Sequence, residues 1–231
     1  MRPVRHEQRE SAPEKKGFMA MRKMRGFSML EMAIVVALIM ILSGITFISL
    51  KPALADARIN AGYDTTLMQM RIARQRAIEE RKQYIVCFGL ATPTGALTPL
   101  GAPTAQSVQI FRWDLGTALS ATTQVSKVDL PSDVQFQALT GLPSPGPDSF
   151  GTGTAAIDFD QGVAAAITNQ VMFMPDGSAQ DTNGNLNNGV IYIARNGDVL
   201  SSKAVTVFGS SGRIRGWRLV SSGAATKWMQ Q

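Results

Sequence analysis

The chain holds one cysteine and one histidine in 231 residues. A lone Cys87 excludes an internal disulfide, and an exported domain of this length stands without one, so cysteine usage leaves the compartment open. The histidine, His6, lies in a basic N-terminal stretch, outside everything that reads as globular. This removes Ser-His-Asp and Cys-His catalysis, and any histidine-bearing metal site, from the body of the chain. Chemistry built on carboxylates or lysines remains available, but no paired carboxylates stand in a recognisable setting. The expectation is a protein that is not an enzyme, with no cofactor and no resident metal.

Charge of one sign is scarce along most of the chain. The formal net charge is +6, yet residues 1–26 hold eight Lys/Arg against three Glu. Residues 27–231 are therefore almost neutral. They are also polarised: residues 85–194 carry two basic and eight acidic side chains, and residues 195–231 carry six basic and one acidic. A basic tail on an acidic body is a candidate anion-binding surface.

Charge is missing altogether from Met32 to Leu50, nineteen residues long. As a helix this run reaches across a bilayer core of ~30 Å. Arg22, Lys23 and Arg25 precede it, and Lys51 alone follows closely. The basic flank should stay cytoplasmic, with the C-terminal part exported. Just before the run stands Gly26-Phe27-Ser28-Met29-Leu30-Glu31. A single carboxylate, Glu31, at the start of an apolar span costs several kcal/mol unless it is paired, and a simple anchor gains nothing from it. Ala53-Leu54-Ala55 after the run offers a rival reading as a secretory signal cleaved at an A-x-A site. Against that rival, the run exceeds the usual ~7–15 apolar residues.

The Gly26 to Glu31 block and the span after it resemble the class III signal of type IV pilins and pseudopilins. The resemblance implies that prepilin peptidase cuts between Gly26 and Phe27 and that Phe27 becomes a methylated N-terminus. Residues 1–26 are then a cleaved leader, longer than most in that family. Glu31 becomes the fifth mature residue, the family's acidic position, with the Phe27 amine of a neighbouring subunit as its partner. Lys16-Gly17-Phe18 looks similar, but Arg22 stands where the carboxylate should be.

Beyond the span, Ile59, Tyr63, Leu67, Met70, Ala73 and Ala77 form one apolar helical stripe, and the helix is expected to run to about Lys82. Ala57, Ala61, Met68 and Ile72 form a smaller second stripe, suited either to filament neighbours or to plain exposure. Pro52 should bend or loosen this helix. After Tyr84 the pattern turns to strands, at Ile85–Phe88, Val108–Trp113, Val134–Leu139, Ala156–Phe159, Val171–Met174, Val190–Ala194, Val199–Phe208 and Arg213–Val220. Pro175-Asp176-Gly177 and Asn196-Gly197 read as turns, and 91–107 and 140–154 as surface loops. The expected class is α+β, a long N-terminal helix packed on an antiparallel β-sheet domain. Its parts are a leader over 1–26, a transmembrane helix over 27–50, an amphipathic continuation over 51–82 and a β-rich globular domain over 83–231.

Val171-Met172-Phe173-Met174-Pro175-Asp176-Gly177, then Gly189–Ile193, Lys203–Gly209 and Gly212–Leu219, look like the C-terminal domain of the GspH/FimT minor pseudopilins. The resemblance covers residues 26–82 and about 171–220. It implies a subunit of a type II secretion or type IV pilus filament, anchored by a single pass in the bacterial inner membrane. Other pilins and prepilin peptidase are the partners it implies.

Three groups remain as candidate sites. Gly212-Arg213-Ile214-Arg215 would project Arg213, Arg215 and Trp217 from one strand face, with Ile214 inward and Arg218 close by. Two guanidiniums beside an indole suit phosphates and bases, and the Gly-Arg-x-Arg of the FimT branch is linked to DNA uptake, so double-stranded DNA is a candidate partner. The alternative is a solvated strand face, or arginines paired with acidic neighbours. On either view, exchanging both arginines for Gln should spare the fold. Asp181, Asn183, Asn185 and Asn187 have the alternating oxygen spacing of a calcium loop, without its terminal glutamate, so a hairpin loop is the competing reading. Cys87, in an apparent strand, reads as a small core residue.

Overall fold

In the computed structural model the described residues are 26–93, 103, 105–159, 169–223 and 225–231, with the side chains of 47–49 left aside. The chain divides into two units, Met1–Ile48 and Ser49–Gln231. In the first, helix α1 (Met29–Glu80) begins, and its apolar side chains, among them Leu38, Ile39, Ile41 and Leu42, are exposed. By length and composition this part of α1 can cross a membrane. The helix is unbroken at Pro52. It ends two residues short of the expected Lys82, at a turn where Arg81 has φ +53°.

In the second unit α1 lies against two antiparallel sheets. The first has the order β3-β2-β1-β6-β7, built from β1 (Gln83–Phe88), β2 (Ser107–Trp113), β3 (Thr123–Asp129), β6 (Gln170–Phe173) and β7 (Ala179–Gln180). The second has the order β11-β10-β9-β8-β4, from β4 (Val134–Phe136), β8 (Gly189–Arg195), β9 (Asp198–Phe208), β10 (Arg213–Ser222) and β11 (Ala225–Gln230). The short β5 (Ile157–Phe159) also pairs with β8.

The apolar stripe reads through into the core. Ile59, Tyr63, Met70, Ala73 and Ala77 are buried, with Leu67 packed beside them. They meet Tyr84, Val86 and Phe88 of β1, Ile191 and Ile193 of β8, and Val205 and Val207 of β9, each at period two. The small Ala73 and Ala77 let the helix approach closely. Of the second stripe, Ala57, Ala61 and Met68 are exposed and Ile72 is partly buried.

β1 is buried on both faces, because Ile85 and Cys87 point into a separate cluster with Phe111 and Met172. This burial pushes the Cys87 thiol far above its ordinary pKa, so it remains a neutral core group. Both expected turns form. Gly177, with φ +84°, donates its N–H to the Met174 carbonyl, and Gly197, with φ +77°, joins β8 to β9.

Three strands lie outside the sequence expectation. β3 and β11 are polar edge strands, and an edge needs no apolar alternation on its open side. β7 has only two residues. The expected loop over 91–107 falls largely outside the described residues. The expected surface loop over 140–154 needs correction at its centre, where Gly146, Pro147 and Gly151 are buried. A Cβ at Gly146 would overlap the Tyr192 hydroxyl, so glycine lets this segment lie flat on the second sheet.

Candidate functional site

At the N-terminal end Gly26, Phe27 and Glu31 are all exposed. Ser28 starts the helix: its Oγ accepts the Leu30 N–H at 3.3 Å and its carbonyl accepts the Met32 N–H at 3.1 Å. Glu31 sits in the first turn of α1, where the unpaired N–H groups favour an anion. Among the described residues no basic side chain pairs with it. A carboxylate therefore stands one turn from Phe27, at the head of a helix whose other neighbouring surface is apolar.

On β10 the alternation expected from sequence holds. Arg213, Arg215 and Trp217 share one face, and Ile214 packs toward the main core. Arg218 lies on the Ile214 side, cross-strand from Lys203. Lys203 rests 4.8 Å from the Tyr63 ring centroid, and its pKa is lowered, first by desolvation, with Arg218 adding to the shift and Asp64 opposing it.

The two motif arginines have different surroundings. Arg213 is exposed, with its guanidinium 4.7 Å from the Phe208 ring centroid. Arg215 is half-buried, and its Nη1 donates to Asp148 Oδ1 at 2.6 Å. The second oxygen of Asp148 accepts the Thr206 hydroxyl at 2.6 Å, and Trp217 Nε1 donates to Thr206 Oγ1 at 3.0 Å. Phe150 closes edge-on over Phe208, with 5.0 Å between centroids. The 146–151 segment thus lays an internal carboxylate on Arg215 and uses the indole N–H indirectly. Of the expected pair of forks, one is displayed and the other is engaged.

Asp148 was the residue the sequence did not reveal. It lies in a Pro/Gly-rich stretch, and no local pattern links it to a strand 67 residues later. Its own φ is +55° and that of Ser149 is +62°, an uncommon backbone held by these contacts. Arg215→Gln is therefore expected to destabilise the fold by about 2 kcal/mol, since it removes a charge-assisted hydrogen bond from a nearly buried carboxylate. Urea unfolding checks this, and Arg218→Gln, at an exposed position without an ion-pair partner among the described residues, should stay within ~0.5 kcal/mol.

The Asp181 loop closes on itself. Asp181 Oδ1 accepts the backbone N–H groups of Asn183 and Asn185, both at 2.8 Å, and Oδ2 accepts Asn185 Nδ2 at 3.0 Å. Gly184 supplies φ +88° at the tip. The carboxylate is thereby spent on local turn geometry. Asn187, the fourth residue of the spacing, is buried. Among the described residues no cluster of three His, Cys, Asp or Glu side chains could hold a metal ion.

Residues 21–47 match the family model of the prokaryotic N-terminal methylation motif. No curated protein matches the chain in sequence. Among solved structures, the chain is similar to the type IV minor pilin FimU of Pseudomonas aeruginosa at 11% identity and TM-score 0.40, over 68% of this chain and 85% of that one. It is similar also to the minor pseudopilin EpsH from the Type 2 Secretion System of Vibrio cholerae, at 11% identity and TM-score 0.41, over 70% and 97% of the two chains.

Proposed function

We propose that this chain is a minor pilin or pseudopilin, a non-enzymatic structural subunit of a type II secretion or type IV pilus filament. The observation that carries the reading is Glu31, a lone carboxylate at the head of an exposed apolar helix inside a methylation motif spanning residues 21–47. Such a group is costly in hydrocarbon, and a filament supplies what offsets it, a newly exposed amine on a neighbouring copy of the same motif. On this reading prepilin peptidase removes residues 1–26 and Phe27 is methylated. Residues 27–50 hold the subunit in the bacterial inner membrane, and the domain over 83–231 is exported. The exposed Ala57, Ala61 and Met68 then face other pilins along the filament.

Mass spectrometry of the protein from its membrane tests the reading, with an N-terminus at methylated Phe27 expected. Gly26→Ala should still be processed, and a bulky side chain at position 26 should leave the leader attached. A mature terminus at Asp56 would overturn the reading in favour of a secretory signal.

A second reading, in which the exported domain also binds double-stranded DNA during uptake, is favoured by one observation. Arg213 and Arg218 are exposed, in a segment with six basic side chains and one acidic. Arg215, engaged by Asp148, and Trp217, bonded to Thr206, contribute less to it than their spacing suggests.

A further inference from the structure

The chain holds three Asn-Gly dipeptides, Asn183-Gly184, Asn188-Gly189 and Asn196-Gly197. An asparagine followed by glycine can react with its own backbone. The glycine nitrogen attacks the side-chain Cγ, the amide nitrogen leaves as ammonia, and a cyclic succinimide forms. Water then opens the ring at either carbonyl. One opening gives Asp, and the other gives the isomer in which the main chain runs through the side chain. Glycine favours the attack because no Cβ shields its nitrogen. In a folded chain two further conditions apply. The glycine N–H must be free of an acceptor, and the asparagine side chain must be free to turn onto it.

Two of the three dipeptides fail these conditions. Asn188 is fixed, since its Oδ1 accepts the Gly209 N–H at 2.7 Å. Gly189 is buried in β8, paired with Phe159 on one side and Val207 on the other. Asn183 is exposed, but its own N–H donates to Asp181 Oδ1 at 2.8 Å. The Gly184 N–H donates to the Asp181 carbonyl at 3.2 Å. Gly184 thus takes the fourth position of its turn, the one whose N–H closes it.

Asn196-Gly197 is arranged differently. Arg195 and Asp198 pair across the β8–β9 hairpin, which leaves Asn196 and Gly197 as the two central residues of the turn. The closing bond of a turn joins its outer residues, so the N–H of a central residue is left over. Among the described residues the Gly197 N–H has no backbone acceptor, and the Asn196 side chain makes no hydrogen bond. Both residues are exposed, and nothing lies within 4 Å of a Cβ built at Gly197.

We propose that Asn196 is a self-modification site, deamidated by attack of the Gly197 nitrogen on its Cγ, while the fold holds Asn183 and Asn188 back. Each event consumes one water, releases one ammonia and leaves one new negative charge. That charge arises beside Arg195, whose Nη2 donates to Asp198 Oδ2 and whose Nη1 stands 3.9 Å from Asp56 Oδ1 on α1. A third carboxylate then competes for one guanidinium and loosens the tie between hairpin and helix. The isomer also lengthens the main chain within a two-residue loop. That loop sets the register of β8 on β9, and Ile191, Ile193, Val205 and Val207 of those strands are core residues. The site does not depend on which filament the chain joins, or on processing at Gly26.

The test holds the folded full chain, in detergent micelles, in heavy-oxygen water at mildly alkaline pH, and maps its peptides by mass spectrometry. Only conversion during the incubation takes up heavy oxygen, so conversion during digestion is not counted. A parallel sample is kept in urea. In the folded chain Asn196 is expected to convert at least about tenfold faster than Asn183 or Asn188, the factor imposed when one hydrogen bond must open first. Asp and its isomer should both appear at position 196, and the rate should rise with pH as the attacking nitrogen loses its proton more readily. In urea the three rates should converge. Equal rates at Asn196 and Asn183 in the folded chain overturn the proposal, and so does an absence of conversion at Asn196. A preference for Asn196 that persists unchanged in urea overturns it as well, since local sequence and not the fold would then set the selectivity.

Discussion

If the chain is the filament subunit proposed, Glu31→Ala is expected to lower its incorporation by at least about tenfold while leaving membrane insertion intact. An acidic residue at the centre of a spanning helix costs about 3 kcal/mol on insertion scales and less toward the helix end where Glu31 stands, so its removal should leave entry into the bilayer intact or ease it. The loss appears only on assembly, when the carboxylate would otherwise meet the amine of a neighbouring Phe27. Losing that pair in an apolar setting exceeds 1.4 kcal/mol, which is a factor of ten in an equilibrium. The position favours such pairing, because Glu31 occupies the first turn of α1, is exposed, and has no basic partner of its own among the described residues. Quantitative immunoblotting of sheared filaments against membrane fractions measures both quantities. Normal incorporation of the variant would remove the pairing role. Glu31→Asp, which keeps the charge, should recover part of the wild-type level.

Gly212→Ala is expected to destabilise the second unit by about 3 kcal/mol, or roughly 6–12 °C in melting temperature for a domain of this size. Two costs add. Gly212 has φ +57°, the left-handed region that a Cβ disfavours by about 1 kcal/mol. A Cβ there would also overlap the Gly177 carbonyl oxygen, which already accepts Arg74 Nε, and overpacking of this kind costs ~1–3 kcal/mol. Gly223→Ala separates the terms. Its φ is +67° and nothing lies within 4 Å of an added Cβ, so only the backbone cost of about 1 kcal/mol should remain. Equal losses for the two variants would show that the close approach to Gly177 contributes nothing. The glycine that opens the Gly-Arg-x-Arg motif thus has a structural reason that requires no ligand.

Different physics made different parts legible. The stripe from Ile59 to Ala77 is visible because one face of a helix must bury its apolar side chains at a 3.6-residue period, whatever covers them. The strands β1, β6, β8 and β9 are visible because burial on one or both faces demands β-branched and aromatic residues. The strands β3 and β11 escaped notice since edge positions tolerate polar residues, and Lys127 on β3 is better suited to guarding an edge than to signalling a strand.

The two candidate sites divide along the same line. Gly26, Phe27 and Glu31 are adjacent in the chain, and the cost of a charge at the head of an apolar helix is a local property. The sequence by itself therefore determined that a lone carboxylate stands at the head of an apolar helix, as it determined the α+β class and the shared face of Arg213, Arg215 and Trp217. Only the tertiary structure decided which of those side chains are free. Asp148 reaches Arg215 across 67 residues of chain, through a glycine-flanked segment that lies flat on Tyr192, and Arg213 lies instead over the Phe208 ring. The reason is that periodicity specifies the direction in which a side chain leaves the backbone, while its partner is set by whichever distant segment the fold lays over it.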